Sequence, residues 1–337
     1  MLDAGADPNG GFTTTGPHPE RETALYGAAG VAHHEGLTRL LLERGADPND
    51  DEAVYHSPES SGSGAMRALV ETGRVTPENL GMMLVRKLDW HDCEGVRYLL
   101  EHGASAGAPR WRGLSPLHHA ISRDNSLSII ELLLDDGADP NSVSKGHSAT
   151  ALAARRGRGD VLEAIARRGI RVELGGVLRL IAACARNDAA DVADIAAGKP
   201  SLVAELIGDG GRLLAEFAGT WNTSGVGHLL DLGVPPDALY EGDPYFDIAP
   251  ASTALHVAAW KGVVDTVVLL LRRGAAAGPR DGAGRTPLML AVRACVDSYW
   301  TGRRNPDTVR ALLAAGASAD DVPWPSGYRE VDALLRP

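Results

Sequence analysis

Apolar positions along the chain recur at helical rather than strand spacing, in pairs of short segments. Residues 253–274 show one such pair clearly. Thr253 can cap a first helix through its hydroxyl, and a small residue or Pro at the next position costs nothing there. Leu255, Ala258 and Ala259 make a narrow apolar face whose alanines permit close helix contact, and Gly262 ends that helix. Val264, Val267, Val268, Leu270 and Leu271 give a second apolar helix, stopped by Gly274. One pair of such helices cannot bury both of its faces alone; a stack of pairs can.

The pattern repeats. Gly-Ala-Asp-Pro-Asn, turn chemistry that leads into a hairpin finger, occurs at Gly5–Asn9, Gly45–Asn49 and Gly137–Asn141. Degenerate copies start at Gly73, Gly103, Gly169, Gly233, Gly274 and Gly316. Successive spacings are 40, 28, 30, 34, 32, 64, 41 and 42 residues, the 64 reading as two units with a blurred copy near 197–200. A second phrase leads these copies, clearest at Ser115-Pro116-Leu117-His118 and Thr253-Ala254-Leu255-His256. It recurs as Thr286-Pro287-Leu288-Met289 and Thr23-Ala24-Leu25-Tyr26, and it precedes its glycine by 21 or 22 residues in most units.

With both anchors at a period near ~33 residues, the chain resembles the ankyrin-repeat family over residues 20–322, in a degenerate form of bacterial type. The resemblance implies an all-α solenoid of about nine helix–turn–helix units with hairpin or loop fingers. It also implies that the residues seven and eight places after the Thr position end each first helix and face a concave groove. Here those are Asp89 and Trp90, Ser122 and Arg123, Arg155 and Arg156, Ala185 and Arg186, Gly219 and Thr220, Trp260 and Lys261, and Arg293 and Ala294. Trp221 follows directly. Arg and Trp are enriched in binding hot spots, so Trp90, Arg123, Arg155, Arg156, Arg186, Trp221, Trp260, Lys261 and Arg293 are candidate contacts. A carboxylate on the partner could accept paired Arg hydrogen bonds, which suits an acidic segment with apolar anchors.

Some stretches depart from the repeat. Residues 1–19 read as the end of a truncated repeat plus a loop, and 10–20 as loop rather than helix. Ser57–Gly64 shortens a first helix, and 175–233 holds two weak copies. Pro235–Pro250 is a longer finger or loop carrying Tyr240, Tyr245 and Phe246. Extra residues near Cys295–Asn305 include Tyr299, Trp300, Arg303 and Arg304; insertions of this kind map to one side of a solenoid, often the binding side, which adds Trp300 to the candidates. Residues 323–337 read as a terminal cap, with Val331, Leu334 and Leu335 covering the last layer.

Composition narrows the partner class. The 337 residues are 44% hydrophobic but only 5% aromatic, so the core is mostly Leu, Ala and Val. A net charge of −11 disfavours nucleic acid and anionic lipid as partners. Cys93, Cys184 and Cys295 are too few and too scattered for a disulfide framework. Neither a secretory signal nor a membrane-length apolar run stands in the sequence. The expectation is a cytoplasmic, monomeric adaptor that binds a protein.

Chemistry is harder to find. Neither a P-loop nor a strand-led dinucleotide fingerprint is present. His33-His34 and His118-His119 are adjacent pairs whose side chains diverge by about 100° on a helix, which does not favour one shared ion. His91-Asp92-Cys93 has mixed ligands without a second half at metal spacing. The sequence therefore assigns no catalytic residue, cofactor or metal. Two other readings stand beside the adaptor: the targeting or regulatory portion of a longer enzyme or effector, and a hydrolase site among His118, His119 and the 295–305 insertion.

Overall fold

The computed structural model describes residues 5–15, 17, 19–60, 62–107, 115–298 and 304–336. It divides into two compact units, residues 1–152 and 153–337.

Unit 1 opens with an antiparallel hairpin, β1 (Gly11–Thr13) against β2 (Arg21–Thr23). The 10–20 stretch expected as plain loop thus carries one strand, β1, which pairs with β2 just beyond it. Helix pairs follow: α1 (Ala24–Tyr26), running on as a π-helical turn over Gly27–Val31, with α2 (Glu35–Glu43), then α3 (Asp51–His56) with α4 (Gly64–Val70). Next come α5 (Pro77–Asp89) with α6 (Cys93–Glu101), and α7 (Pro116–Ser122) with α8 (Leu127–Asp135). A short hairpin, β3 (Val143–Ser144) and β4 (His147–Ser148), leads into α9 (Ala149–Arg155), within which the chain passes to the second unit. First helices stack on first helices, α1 on α3, α3 on α5 and α5 on α7, while α2 packs on α4 and α6 on α8.

Unit 2 continues with α10 (Gly159–Arg167), α11 (Val177–Ala185), α12 (Ala189–Gly198), α13 (Pro200–Gly208), α14 (Gly210–Gly219) and α15 (Thr223–Asp231). After a single 3₁₀ turn (Pro244–Phe246) come α16 (Ala254–Lys261), α17 (Val264–Arg272), α18 (Pro287–Asp297), α19 (Pro306–Ala314) and α20 (Arg329–Leu335). Here α14, α16 and α18 form the first-helix layer and α15, α17 and α19 the second. Helix α20 packs on α19 with Val331 buried. The chain is all-α apart from these hairpins, and among the described residues its helices make nine pairs.

Helix α13 is the departure. The blurred finger expected near 197–200 is a helix boundary instead. Lys199 leaves helical geometry at φ −144°, and Pro200 starts a new helix at the position where proline's missing N–H goes unmissed.

The repeated phrases each have a structural reason. In all three full copies the Asp side chain accepts the backbone N–H of Asn two residues on: Asp7 from Asn9, Asp47 from Asn49 and Asp139 from Asn141. The Asn then reaches the next finger. Asn9 donates to the Gly45 carbonyl and accepts from the Asp47 N–H; Asn49 does the same to Arg74 and Thr76. The Gly45 and Gly137 that open two of these copies have φ of 96° and 89°, a conformation that favours glycine at helix ends. At the other phrase, Thr23, Thr76, Ser115 and Thr286 cap their helices by accepting a backbone N–H three residues on.

Candidate functional site

Among the described residues, seven first helices end in a residue that turns left-handed before the second begins. In unit 1 these are His33, His91 and Asp124; in unit 2 they are Gly157, Asn187, Trp221 and Gly262. The predicted contacts from Trp90 to Lys261 stand immediately before this turn, or on it in the case of Trp221, whereas Arg293 lies within α18.

In unit 1, Arg123 follows the last residue of α7 and donates through Nε to Asp89 at 2.9 Å. His119 Nε2 reaches the same carboxylate oxygen at 2.8 Å, and Arg86 holds the other at 2.6 Å. Burial alone would raise the Asp89 carboxyl, but the His119 hydrogen bond and the Arg123 charge outweigh it and hold the group below its ordinary value. Arg86 also pairs with Glu59, whose other oxygen lies 2.8 Å from His56 Nδ1, and His56 Nε2 stands 3.3 Å from Glu52. Acidic and basic side chains thus alternate from α3 across α5 to α7. Asp89, read from sequence as facing a groove, is the central acid of this network. Trp90 caps the C-terminus of α5 and is half-buried.

Lys87 is fully buried one residue earlier than Leu88, with Nζ 2.8 Å from both the Ser60 carbonyl and Asp92. The histidine pairs have structural employment as well. His34 caps α2, His118 bridges Ser115 and the His147 carbonyl, and Asp92 caps α6. Among the described residues, no cluster of three or more His, Cys, Asp or Glu is placed to hold a metal.

In unit 2, Arg155 pairs with Asp209 at 2.7 Å, Arg156 with Glu216 at 2.8 Å, and Arg186 approaches Asp191 at 4.0 Å. Arg156 is buried, whereas Arg155 and Arg186 keep about a third of their side chains open. Trp221 is 54% exposed at φ 60°. Its neighbours fix it: Thr220 donates to the Arg156 carbonyl at 2.8 Å, and Asn222 to the carbonyls of Gly157 and Ala185 at 2.6 and 2.7 Å. The backbone on either side of Trp221 is thus tied to the helix ends that carry Arg155, Arg156 and Arg186.

Trp260 and Lys261 have a different fate: both are buried. The finger between α15 and α16 folds back over them, closed by paired hydrogen bonds between Asp243 and Ile248 and by Tyr240 N–H to Ser252. Tyr240, Phe246 and Ile248 pack with Ala215 of α14, Val257 and Trp260 of α16, and Leu290 and Ala294 of α18. Trp260 Nε1 donates to the Phe246 carbonyl at 2.7 Å, and Lys261 Nζ lies 3.3 Å from the Phe246 ring centroid. Arg293 pairs with Asp247 at 2.5 Å and lies over the Trp260 ring. Trp300 falls outside the described residues.

Sequence reasoning missed this cover and the residues that serve it, among them Glu216 and Arg285. The available signal was α16 itself, Ala-Leu-His-Val-Ala-Ala-Trp-Lys, which keeps almost no polar face for water.

The model of the family described as ankyrin repeats, in three copies, matches residues 62–144, 82–176 and 222–322, more than half of the chain. This chain belongs to the ankyrin-repeat family. It is 42% identical over 115 residues to serine/threonine-protein kinase 12 of Arabidopsis thaliana, which covers 34% of this chain and 21% of the kinase. It is 36% identical over 99 residues to the ankyrin repeat and LEM domain-containing protein 1 homolog of Caenorhabditis elegans, covering 28% of this chain and 13% of that protein. With ankyrin repeat and MYND domain-containing protein 1 of Homo sapiens it shares 31% over 134 residues, 35% of this chain and 14% of the other. The chain thus spans about a fifth or less of these ankyrin proteins. The solved human ASB11 ankyrin repeat domain matches 87% of this chain and 98% of its own at 20% identity, with a TM-score of 0.29, too low to bear on the arrangement. Ankyrin repeats are protein-interaction modules, and no helix among the described residues is long and apolar enough to cross a membrane.

Proposed function

We propose that this chain is a non-catalytic protein-binding module, a cytoplasmic adaptor acting as a monomer, which holds a segment of a partner protein against its first-helix ends. The observation that carries the reading is Trp221. A bulky side chain in the left-handed region costs on the order of 1–3 kcal/mol, and here the ring is left 54% exposed instead of packed. Exposed, positioned aromatics beside Arg are what protein interfaces use as anchors. Part-exposed Arg155 and Arg186 next to it favour an acidic partner segment in a chain whose net charge is −11. In unit 1, Arg123 and the half-buried Trp90 offer the same residue types.

The test is affinity capture from lysate followed by mass spectrometry, with wild type beside a Trp221→Ser/Arg186→Glu variant shown to be folded. A protein held by the first and lost by the second supports the site. Equal capture by both removes it.

A second reading, the targeting portion of a longer enzyme or effector, is favoured by the 42% match to a protein named as a kinase. The genomic reading frame upstream of Met1 decides it: an in-frame catalytic domain supports this reading, and a stop codon directly upstream counts against it.

A further inference from the structure

The finger that covers α16 behaves chemically like a ligand. Its tip presents a ring, a main-chain carbonyl and a carboxylate in sequence, and each meets a complementary group. The Phe246 ring meets the Lys261 ammonium, which is 2% exposed, and the Phe246 carbonyl accepts from the Trp260 indole. The Asp247 carboxylate bridges Arg285 at 3.3 Å and Arg293 at 2.5 Å, while the Asp247 carbonyl accepts from Arg285 at 3.1 Å. Arg156 lies 5.8 Å from the same Phe246 ring. The face of an aromatic ring is an electron-rich partner for a buried ammonium such as that of Lys261.

The helices beneath do not depend on the finger for their stacking, since α14 packs directly on α16 and α16 on α18. The finger's hold has two parts. Tyr240, Phe246 and Ile248 are buried in the apolar cluster, while the Asp247 carboxylate is 53% open and pairs with the 41% open Arg293 and the more buried Arg285. The exposed pair is the weaker part. Two non-glycine residues of the finger, Asp247 at φ 55° and Ala251 at φ 59°, sit in the left-handed region, which raises the energy of the seated state.

We propose that the face around Trp260, Lys261, Arg285 and Arg293 is a docking site for a partner segment carrying an aromatic residue followed by a carboxylate, and that Phe246–Asp247 occupies it as an internal competitor. This inference deepens the proposed function and rests on it. It moves recognition to a second patch of unit 2, away from Trp221, and gives the partner a short defined chemistry. It also builds in control, because an intramolecular occupant reduces apparent affinity by the fraction of time the site stands open.

The probe is a fluorescein-labelled peptide with the sequence of residues 242–250, titrated against the full chain by anisotropy. In the Phe246→Ala/Asp247→Ala chain the site is vacated, and the peptide is expected to bind about tenfold more tightly, or better, than to wild type. Adding Arg293→Ala should reduce that gain, and a peptide with both the ring and the carboxylate replaced by Ala should not bind. Equal affinity for wild type and the folded double variant overturns the proposal, as does a gain that ignores Arg293. If the double variant loses cooperative unfolding, Asp247→Ser alone carries the test: it removes the ion pairs with Arg285 and Arg293 and so loosens the finger, a several-fold gain is expected, and no gain overturns the inference. Capture through Trp221 reads a different patch, so failure of either experiment leaves the other standing.

Discussion

Lys87 illustrates how a single side chain can be polar and still structural. Its ammonium is fully buried and reaches the Ser60 carbonyl and Asp92. Burial would raise the Asp92 carboxyl, but the Lys87 hydrogen bond and the Gly95 N–H at the helix start hold it below the ordinary value. Lys87→Ala removes the cation and leaves a half-buried carboxylate behind, so unit 1 should lose about 3 kcal/mol, read from urea unfolding. No change would show that the pair does not matter. His256 is the corresponding case in unit 2. Its Nε2 faces the carbonyls of Pro279 and Arg285 at 3.1 Å, which can only accept, so Nε2 carries the proton and Nδ1 accepts from the Thr253 N–H. Burial holds this ring below the ordinary imidazole value, against the opposing pull of those carbonyls and of Asp281. The unfolded chain therefore takes up the proton first as pH falls. Stability from this site is complete above about 6.5 and is lost as pH falls from there through the lower folded value. The urea midpoint should drop between pH 7.5 and 5.5, and His256→Gln should flatten that dependence. The cysteines give a chemical check: burial pushes the Cys184 thiol up to about 12 and Cys295 to about 11, whereas Cys93 is only half-buried. A thiol reagent at pH 7.5 should label Cys93 quickly and the other two only on unfolding.

Gly159 shows what an element requires of its neighbour. A Cβ on this residue, at the start of α10, would come within 2.0 Å of the Ala185 carbonyl oxygen at the end of α11. Backbone cannot yield as a side chain does, so Gly159→Ala should cost about 3 kcal/mol; a melting temperature equal to wild type would contradict the contact. Many of the helices were legible because they carry a local signal: a capping side chain such as Thr23, Ser115 or Thr286, an apolar face, or a closing glycine. The fingers were legible through the Asp and Asn that tie one to the next. Two elements escaped for opposite physical reasons. Helix α13 breaks the period, since Pro200 serves equally as turn residue or helix start and only the surroundings choose. The finger over α16 has no period at all; its aromatics were visible, but their landing place depends on contacts across three helices. Most of the candidate residues fall at helix ends, with Arg293 within α18, yet burial could not be read from sequence, so exposed Trp221 and buried Trp260 looked alike.

At the scale of the molecule, the arrangement is an acidic chain that keeps its cations at particular helix ends. Most of these cations are met by nearby carboxylates, Arg123 by Asp89, Arg155 by Asp209 and Arg293 by Asp247. Among the described residues, what remains for a partner includes the part-exposed Arg155 and Arg186 and the exposed indole of Trp221. On the proposed reading, function resides in which helix ends stay open. The most direct test puts a photo-crosslinking phenylalanine analogue at position 221 and, as controls, at exposed Phe12 and Trp324. Irradiation in lysate should yield a protein adduct from position 221 and none of the same mass from the controls. An adduct from position 12 or 324 with none from 221 would contradict the account.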